Sequence, residues 1–163
     1  MNLTDLHIRP IAEKDNKAVA VIVRATLKEF NADHPGTAYY EEETDFLYTV
    51  FQTPGSVYYV AEKEDVVMGG AGIFPTSGLP ASVCELVKMY ILPEARGIGL
   101  GRKLMAVCFE AARAKGYKQV YLETKAELQT AVIIYEKYGF RYLPAPLGNT
   151  GHFGCELWMI RDI

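Results

Sequence analysis

Three glycines at alternate positions, Gly97, Gly99 and Gly101, lie in the stretch ILPEARGIGLGRKLM (residues 91–105), with Arg96 and Arg102 beside them. They stand between an apolar run and a segment with helical spacing. Backbone without side chains, opening a helix and flanked by positive charge, suits an anion: consecutive N–H groups form a nest and the helix dipole adds partial positive charge. Without a Cβ the anion can approach the backbone closely. Each N–H to a charged oxygen is worth roughly 1.5–3 kcal/mol, so four or five could anchor a long cofactor. A glycine-rich turn with no ligand would show the same residues.

Two phosphate loops are excluded by spacing. A GxGxxG dinucleotide fingerprint starting at Gly97 needs glycine where Arg102 stands, and one starting at Gly99 meets Lys103 and Leu104. Pro93–Arg96 also separates the strand from the first glycine, whereas the dinucleotide turn is tight. A P-loop needs Gly-Lys-Ser/Thr, and GRKL does not supply it. Arg-x-x-Gly-x-Gly, Arg96 to Gly101, is what remains.

A second chemical candidate is Glu85. On a regular strand it shares parity with Val87, Met89 and Ile91, an acid on a largely apolar face. Burial there would raise its pKa toward neutrality, as a general base requires. A solvated or ion-paired glutamate at the strand's entry is the structural alternative.

The elements that must carry these residues follow from periodicity. A strand at Leu6–Ile11 precedes a helix with Asp15 or Asn16 as N-cap and Val19, Ile22, Val23, Thr26, Leu27 and Phe30 at helical spacing. Pro35-Gly36 ends it in a loop. A short helix over Glu42–Phe51 should turn Phe46, Leu47, Val50 and Phe51 inward. SVYYVAEKEDVVMGGAGIFP reads as a hairpin turning around Lys63–Asp65. Val83–Leu92 is a nearly continuous apolar run, as in a central buried strand. The helix Arg102–Lys115 places Leu104, Met105, Cys108, Phe109 and Ala112 on one face and stops at Gly116. A strand at Lys118–Thr124, a helix at Glu127–Tyr138 and strands at Phe140–Leu143 and Phe153–Arg161 complete the order βααβββαβαββ. That order predicts an α/β fold with a mixed sheet and helices on both faces.

Composition narrows the function classes. The 163 residues suit a single domain over residues 1–163. No apolar run reaches the roughly 18 residues needed to span a membrane, and MNLTDLHIRP lacks the apolar core of a signal peptide. A net charge of −3 with scattered basic residues argues against a nucleic-acid surface. Three cysteines without CxxC spacing read as free thiols in a reducing cytosol. His7, His34 and His152 form no metal pattern. The expectation is a cytoplasmic, metal-free protein that binds neither nucleic acid nor membrane.

The glycine motif resembles the signature of the GNAT superfamily of N-acetyltransferases. HIRPIAEKD is similar to that family's opening strand and helix start. ELVKMYILPEARGIGLGRKLM is similar to its central strand, pyrophosphate loop and following helix, and AVIIYEKYGF to its late helix. Three segments in the right order are far more specific than one glycine pattern. Members often carry Asn three residues before the alanine of that helix; here the position is Leu128, with Gln129 beside it.

The resemblance implies the acyl-CoA N-acyltransferase fold, with a mostly antiparallel sheet of about seven strands, and acetyl-CoA as cosubstrate. Backbone at Met89, Tyr90 and Ile91 would then pair with the pantetheine amides. The amides of Gly97, Ile98, Gly99, Leu100, Gly101 and Arg102, next to Arg96, would hold the pyrophosphate, with Arg102, Lys103 or Lys137 as added charge. Tyr135 falls at the position of the tyrosine that protonates the coenzyme A thiolate; plain core packing is its alternative. Glu85 lies eleven positions before Arg96, a spacing at which some members place a glutamate base.

Acetyl transfer to an amine needs such a base. A lysine-like amine with pKa ~10.4 is neutral in about one molecule in 2,500 at pH 7, a handicap of roughly 4.6 kcal/mol. Glu123 is the reserve base, and a water chain would need neither. A backbone N–H near Met89 or Tyr90 would polarise the carbonyl. A cysteine route through Cys84, Cys108 or Cys155 is less favoured than direct transfer. The family builds its acceptor site from the first two helices and the loop between the last strands. Here those segments offer Phe30, Asn31, Tyr39, Tyr40, Asn149, Thr150 and His152. A small amine is favoured as acceptor, with a protein amine or a non-catalytic acyl-CoA sensor as alternatives, and a homodimer is compatible with the sequence.

Overall fold

The computed structural model describes all 163 residues. Seven strands form one sheet in the order β1-β2-β3-β4-β5-β7-β6. In chain order these are β1 (His7–Pro10), β2 (Val57–Lys63), β3 (Val66–Phe74), β4 (Val83–Ile91), β5 (Gln119–Thr124), β6 (Arg141–Leu143) and β7 (Leu157–Asp162). Every neighbouring pair is antiparallel except β4–β5. The helices are α1 (Asn16–Glu29), α2 (Leu47–Val50), α3 (Leu100–Ala114) and α4 (Gln129–Lys137). The expected element order and mixed sheet are both found.

Each face of the sheet buries its own core. On one side α3 sets Leu104, Met105, Cys108, Phe109 and Ala112 against Ala71, Ile73, Cys84 and Leu86, the face that helical spacing assigns to it. On the other, Val19, Ile22, Val23 and Leu27 of α1 pack with Leu47, Phe51, Tyr58 and Val60. Asp15 stands at the α1 N-cap without a capping bond. Its carboxylate instead accepts from Arg9 at 2.7 and 3.0 Å and from the Ala12 N–H at 2.7 Å, so it joins the helix start to β1.

Two expectations about side-chain direction fail. The 42–51 segment is a 3-10 turn over Glu42–Phe46 followed by one α-helical turn. The tighter turn rotates Phe46 outward, to 44 % exposure, and buries Thr44, whose hydroxyl donates to the Ala38 carbonyl at 2.8 Å. The last strand begins at Leu157 rather than Phe153; Phe153 lies in the preceding loop and is exposed.

The third correction bears on the site. The β3–β4 register shifts between Gly70 and Gly72, and Lys88 takes φ +49°. This is a β-bulge, and an extra residue reverses the alternation of side chains beyond it. Glu85 therefore shares a face with Val87 and Tyr90, while Met89 and Ile91 cross to the α3 side. A left-handed non-glycine residue costs about 1–3 kcal/mol unless its surroundings hold it. Here they do. The buried Tyr58 lies against Gly70 and Gly72, where a Cβ would come within 2.6 and 2.7 Å of its ring. Its hydroxyl donates to the Lys88 carbonyl at 2.8 Å.

Candidate active site

The parallel pair β4–β5 is short. Pairing runs only from Val83–Gln119 to Glu85–Tyr121, although β4 continues to Ile91. Beyond Glu85 the edge of β4 that faces β5 has no strand partner, and the two strands part. The cavity between them holds about 620 Å³. Met89, Tyr90, Ile91, Arg96, Gly97, Gly99, Leu100, Gly101 and Arg102 all line it, and Ile98 does not.

At one end lies the glycine loop. The amides of residues 97–102 donate to no carbonyl or side chain of the protein; the first helical bond of α3 is Lys103 N–H to the Gly99 carbonyl. Six consecutive N–H groups at the start of a 15-residue helix are thus free to meet an anion. The glycines serve different ends. Gly97 and Gly99 have φ of +76° and +91°, which a side chain disfavours. Gly101 is regular helix, but a Cβ there would come within 3.1 Å of Met89 Cε.

Arg96 lines the cleft, but its guanidinium is engaged by other groups of the protein. Its guanidinium makes a bidentate pair with Glu29 at 2.7 and 2.8 Å, donates from Nε to the Ile91 carbonyl at 2.9 Å, and stacks over Phe30. It ties the end of β4 to the C-terminus of α1. Arg102 has no ion pair and lies near the Tyr138 ring, and Lys137 lines the cleft while Lys103 does not.

Tyr135 projects from α4 into the middle of the cleft. It is buried, edge-on to Phe140, with its hydroxyl 4.0 Å from Met89 Sδ. Burial pushes its pKa up to about 12. Leu128 also lines the cleft.

The other end is a cluster of charges. Glu85, 2 % exposed, accepts from the Thr76 hydroxyl at 2.5 Å through Oε2. Its Oε1 accepts no hydrogen bond; the nearest cation is His152 Nδ1 at 3.6 Å. The face expected to be largely apolar is therefore polar at this point. Glu123 accepts from Tyr121 at 2.6 Å and from Thr150 at 2.7 Å, one donor per oxygen. Burial raises its pKa, partly offset by those two donors, with Glu85 adding to the rise. His152 Nε2 lies 2.7 Å from Glu41, whose other oxygen pairs with Lys88. Burial opposes charge on His152, but the hydrogen bond to Glu41 and the nearby Glu85 carboxylate prevail and lift its pKa to about 9. Burial likewise opposes the Glu41 carboxylate, yet His152 and Lys88 hold it down to about 2.

The carboxylate neighbours of His152 therefore favour the protonated imidazolium, which makes it a poor proton acceptor. Glu85, Glu123 and His152 place their ligand-type atoms within 4.8 Å of one another, a grouping that the sequence spacing gives no sign of.

Of the expected acceptor residues, Phe30, Glu123 and His152 line the cleft. Tyr39 and Tyr40 do not: Tyr40 is 60 % exposed and Tyr39 packs against the α1 core. Glu41, Thr76, Lys88 and Tyr121 escape a sequence reading. Only Lys88, which with Glu85 interrupts an otherwise apolar strand, leaves a trace there. The three cysteines are free, and burial pushes Cys84 and Cys155 up to about 12 and Cys108 higher still. No helix is long and apolar enough to cross a membrane.

A sheet splayed beside free helix-start amides invites comparison with known proteins. Residues 21–140 match the model of the acetyltransferase (GNAT) family. The chain belongs to that family. It is 42 % identical over 158 residues to the uncharacterized N-acetyltransferase YjgM of Escherichia coli K12, covering 96 % of this chain and 94 % of the relative. A GNAT-family acetyltransferase from Staphylococcus aureus Mu50 superposes with a TM-score of 0.85 at 16 % identity, over 96 % of this chain and 98 % of the other. A putative acetyltransferase, yncA of Salmonella typhimurium, solved with acetyl-CoA, superposes at 0.75 with 19 % identity, over 97 % and 94 %. The resemblance seen in three sequence segments thus holds for the whole fold, and the protein is an acetyltransferase.

Proposed function

We infer that this acetyltransferase moves an acetyl group from acetyl-CoA directly to a small-molecule amine, with Glu85 as general base. The observation that carries the reading is the cleft itself, with six free amides at one end and, at the other, a buried carboxylate oxygen that accepts no hydrogen bond. The fold shared with yncA, which was solved with acetyl-CoA, supports the choice of donor. The free edge of β4 at Met89–Ile91 suits the pantetheine amides, which pair as an added strand would. The amides of 97–102 suit the pyrophosphate.

Chemistry would proceed at the bulge. An ammonium entering beside Glu85 gives its proton to Oε1, and the nitrogen lone pair attacks the thioester carbonyl. The C–N bond forms, the tetrahedral intermediate collapses, and the C–S bond breaks to leave a thiolate. Glu123 is the weaker base because each of its oxygens already accepts a hydroxyl. Tyr135 donates to the thiolate. With its pKa near 12, against ~8.5 for an ordinary thiol, it stabilises the thiolate by hydrogen bonding more than by full transfer. Cysteine thiols with raised pKa values are poor nucleophiles, which supports direct transfer over an acetyl-cysteine intermediate.

The test is release of free thiol from acetyl-CoA on addition of primary amines. Amine-dependent release that needs Glu85 is expected. Acetyl-CoA binding with no amine-dependent release would leave a sensor, not a transferase.

A further inference from the structure

Glu85, Val87, Lys88 and His152 line a second cavity as well as the cleft. It holds about 240 Å³, below the ~300–1,000 Å³ of sites for drug-sized ligands. One wall is apolar, with Phe51 and Phe74 edge-to-face at 5.6 Å beside Val50 and Val87. The other carries Glu41, Glu43, Thr76 and Asn149. The charges there are unevenly satisfied. Both cations, Lys88 and His152, are bound to the same carboxylate, Glu41. Glu43 is exposed and makes no ion pair, and Glu85 Oε1, deep in the wall, accepts no hydrogen bond and has only the looser contact with His152 Nδ1 at 3.6 Å.

We propose that this cavity selects the acceptor by charge: it takes a small primary ammonium on an apolar or aromatic body and rejects amines that carry an adjacent carboxylate. The proposal rests on the acetyl-transfer reading and adds the acceptor's class to it. An ammonium entering here meets the Glu85 oxygen that accepts no hydrogen bond and the unpaired carboxylate of Glu43, while its body lies against Phe51 and Phe74. A carboxylate on the same molecule would find no free cation and would face those two acids, and like charges brought together select against a ligand. Glu41 is the positioning residue, because it engages the two cations that would otherwise welcome an amino acid.

Three matched probes separate the cases: phenethylamine, phenylalanine and phenethyl alcohol, titrated into protein saturated with coenzyme A. The amine should bind about tenfold or more tightly than either of the others. Glu43→Gln, a change at an exposed residue without partners, should weaken the amine severalfold and leave coenzyme A affinity unchanged. Glu41→Gln should narrow the gap from the other side, by strengthening phenylalanine. Equal binding of amine and alcohol, tighter binding of phenylalanine, or displacement of the amine by a lysine peptide at lower concentration would overturn the proposal. Thiol release measured alongside with acetyl-CoA keeps the two claims apart. Charge-selective binding without release would contradict the transferase reading alone, and release without charge selection would contradict the acceptor class alone.

Discussion

The two ends of the cleft are built from different materials. At the glycine loop the groups offered to a ligand are six successive backbone amides, contributed by one stretch of chain and held by local dihedrals. At the charged end they are side chains from four separate places: Glu41 before α2, Glu85 and Lys88 on β4, Glu123 on β5 and His152 in the last loop. Backbone donors have fixed chemistry, so that end can bind an anion but is poorly suited to telling one acceptor from another. Side chains gathered from distant segments can be exchanged one at a time. In the proposed reaction, the first end would recognise a constant donor and the second would choose a variable acceptor.

That contrast makes mutations at the two ends behave differently. Glu85→Gln should have the largest effect, a loss of roughly 10²–10⁴ in kcat at pH 7. The deficit should shrink as pH nears ~10, where the amine deprotonates unaided. A pH–rate profile of both proteins checks this, and a constant deficit across the range would mean that Glu85 does not take the proton. Between the two ends, Tyr135→Phe removes one hydrogen bond to a charged leaving group, worth roughly 1.5–3 kcal/mol. We expect kcat to fall about ten- to a hundredfold with the acetyl-CoA Kd unchanged; a matching rise in Kd would make Tyr135 a packing residue.

At the charged end, His152 should also leave a trace in stability. Its pKa is raised from 6.5 to about 9. Its contribution is therefore fully present below pH 6.5 and lost as pH rises through 9. The Tm advantage of wild type over His152→Gln should shrink between pH 6.5 and about pH 9.5, and a gap independent of pH would contradict the paired imidazolium. The smallest effect sharpens the contrast most. Arg96→Met breaks the partly exposed clamp to Glu29 and Ile91, so it should cost ~1 kcal/mol in denaturant unfolding with acetyl-CoA affinity within about twofold. A large affinity loss without destabilisation would show that the loop binds through a side chain after all.

The same contrast explains what could be read from sequence. The order of elements follows from hydrophobic periodicity and turn residues, and the glycine loop from a contiguous motif. The charged end could not be read because nothing local joins Glu41, in a run of three glutamates, to His152 more than a hundred positions later. The bulge at Lys88 hid the rest. It lacks the glycine that usually marks a left-handed residue, and it depends on a tyrosine thirty positions earlier. Strict alternation through it therefore put Glu85 on the wrong face relative to Met89 and Ile91. Phe46 failed for a similar reason: a 3-10 turn has a different period from the α-helix assumed for it.

The most direct test of the account compares acetyl-CoA with S-acetylpantetheine, which lacks the pyrophosphate, by calorimetric titration of the unmodified protein. If the amides of 97–102 hold the pyrophosphate, acetyl-CoA binds saturably at one site per chain. S-acetylpantetheine should then bind at least about a hundredfold more weakly, since several charge-assisted bonds of roughly 1.5–3 kcal/mol are lost. Equal affinities, or no binding of acetyl-CoA, would contradict the assignment of that loop.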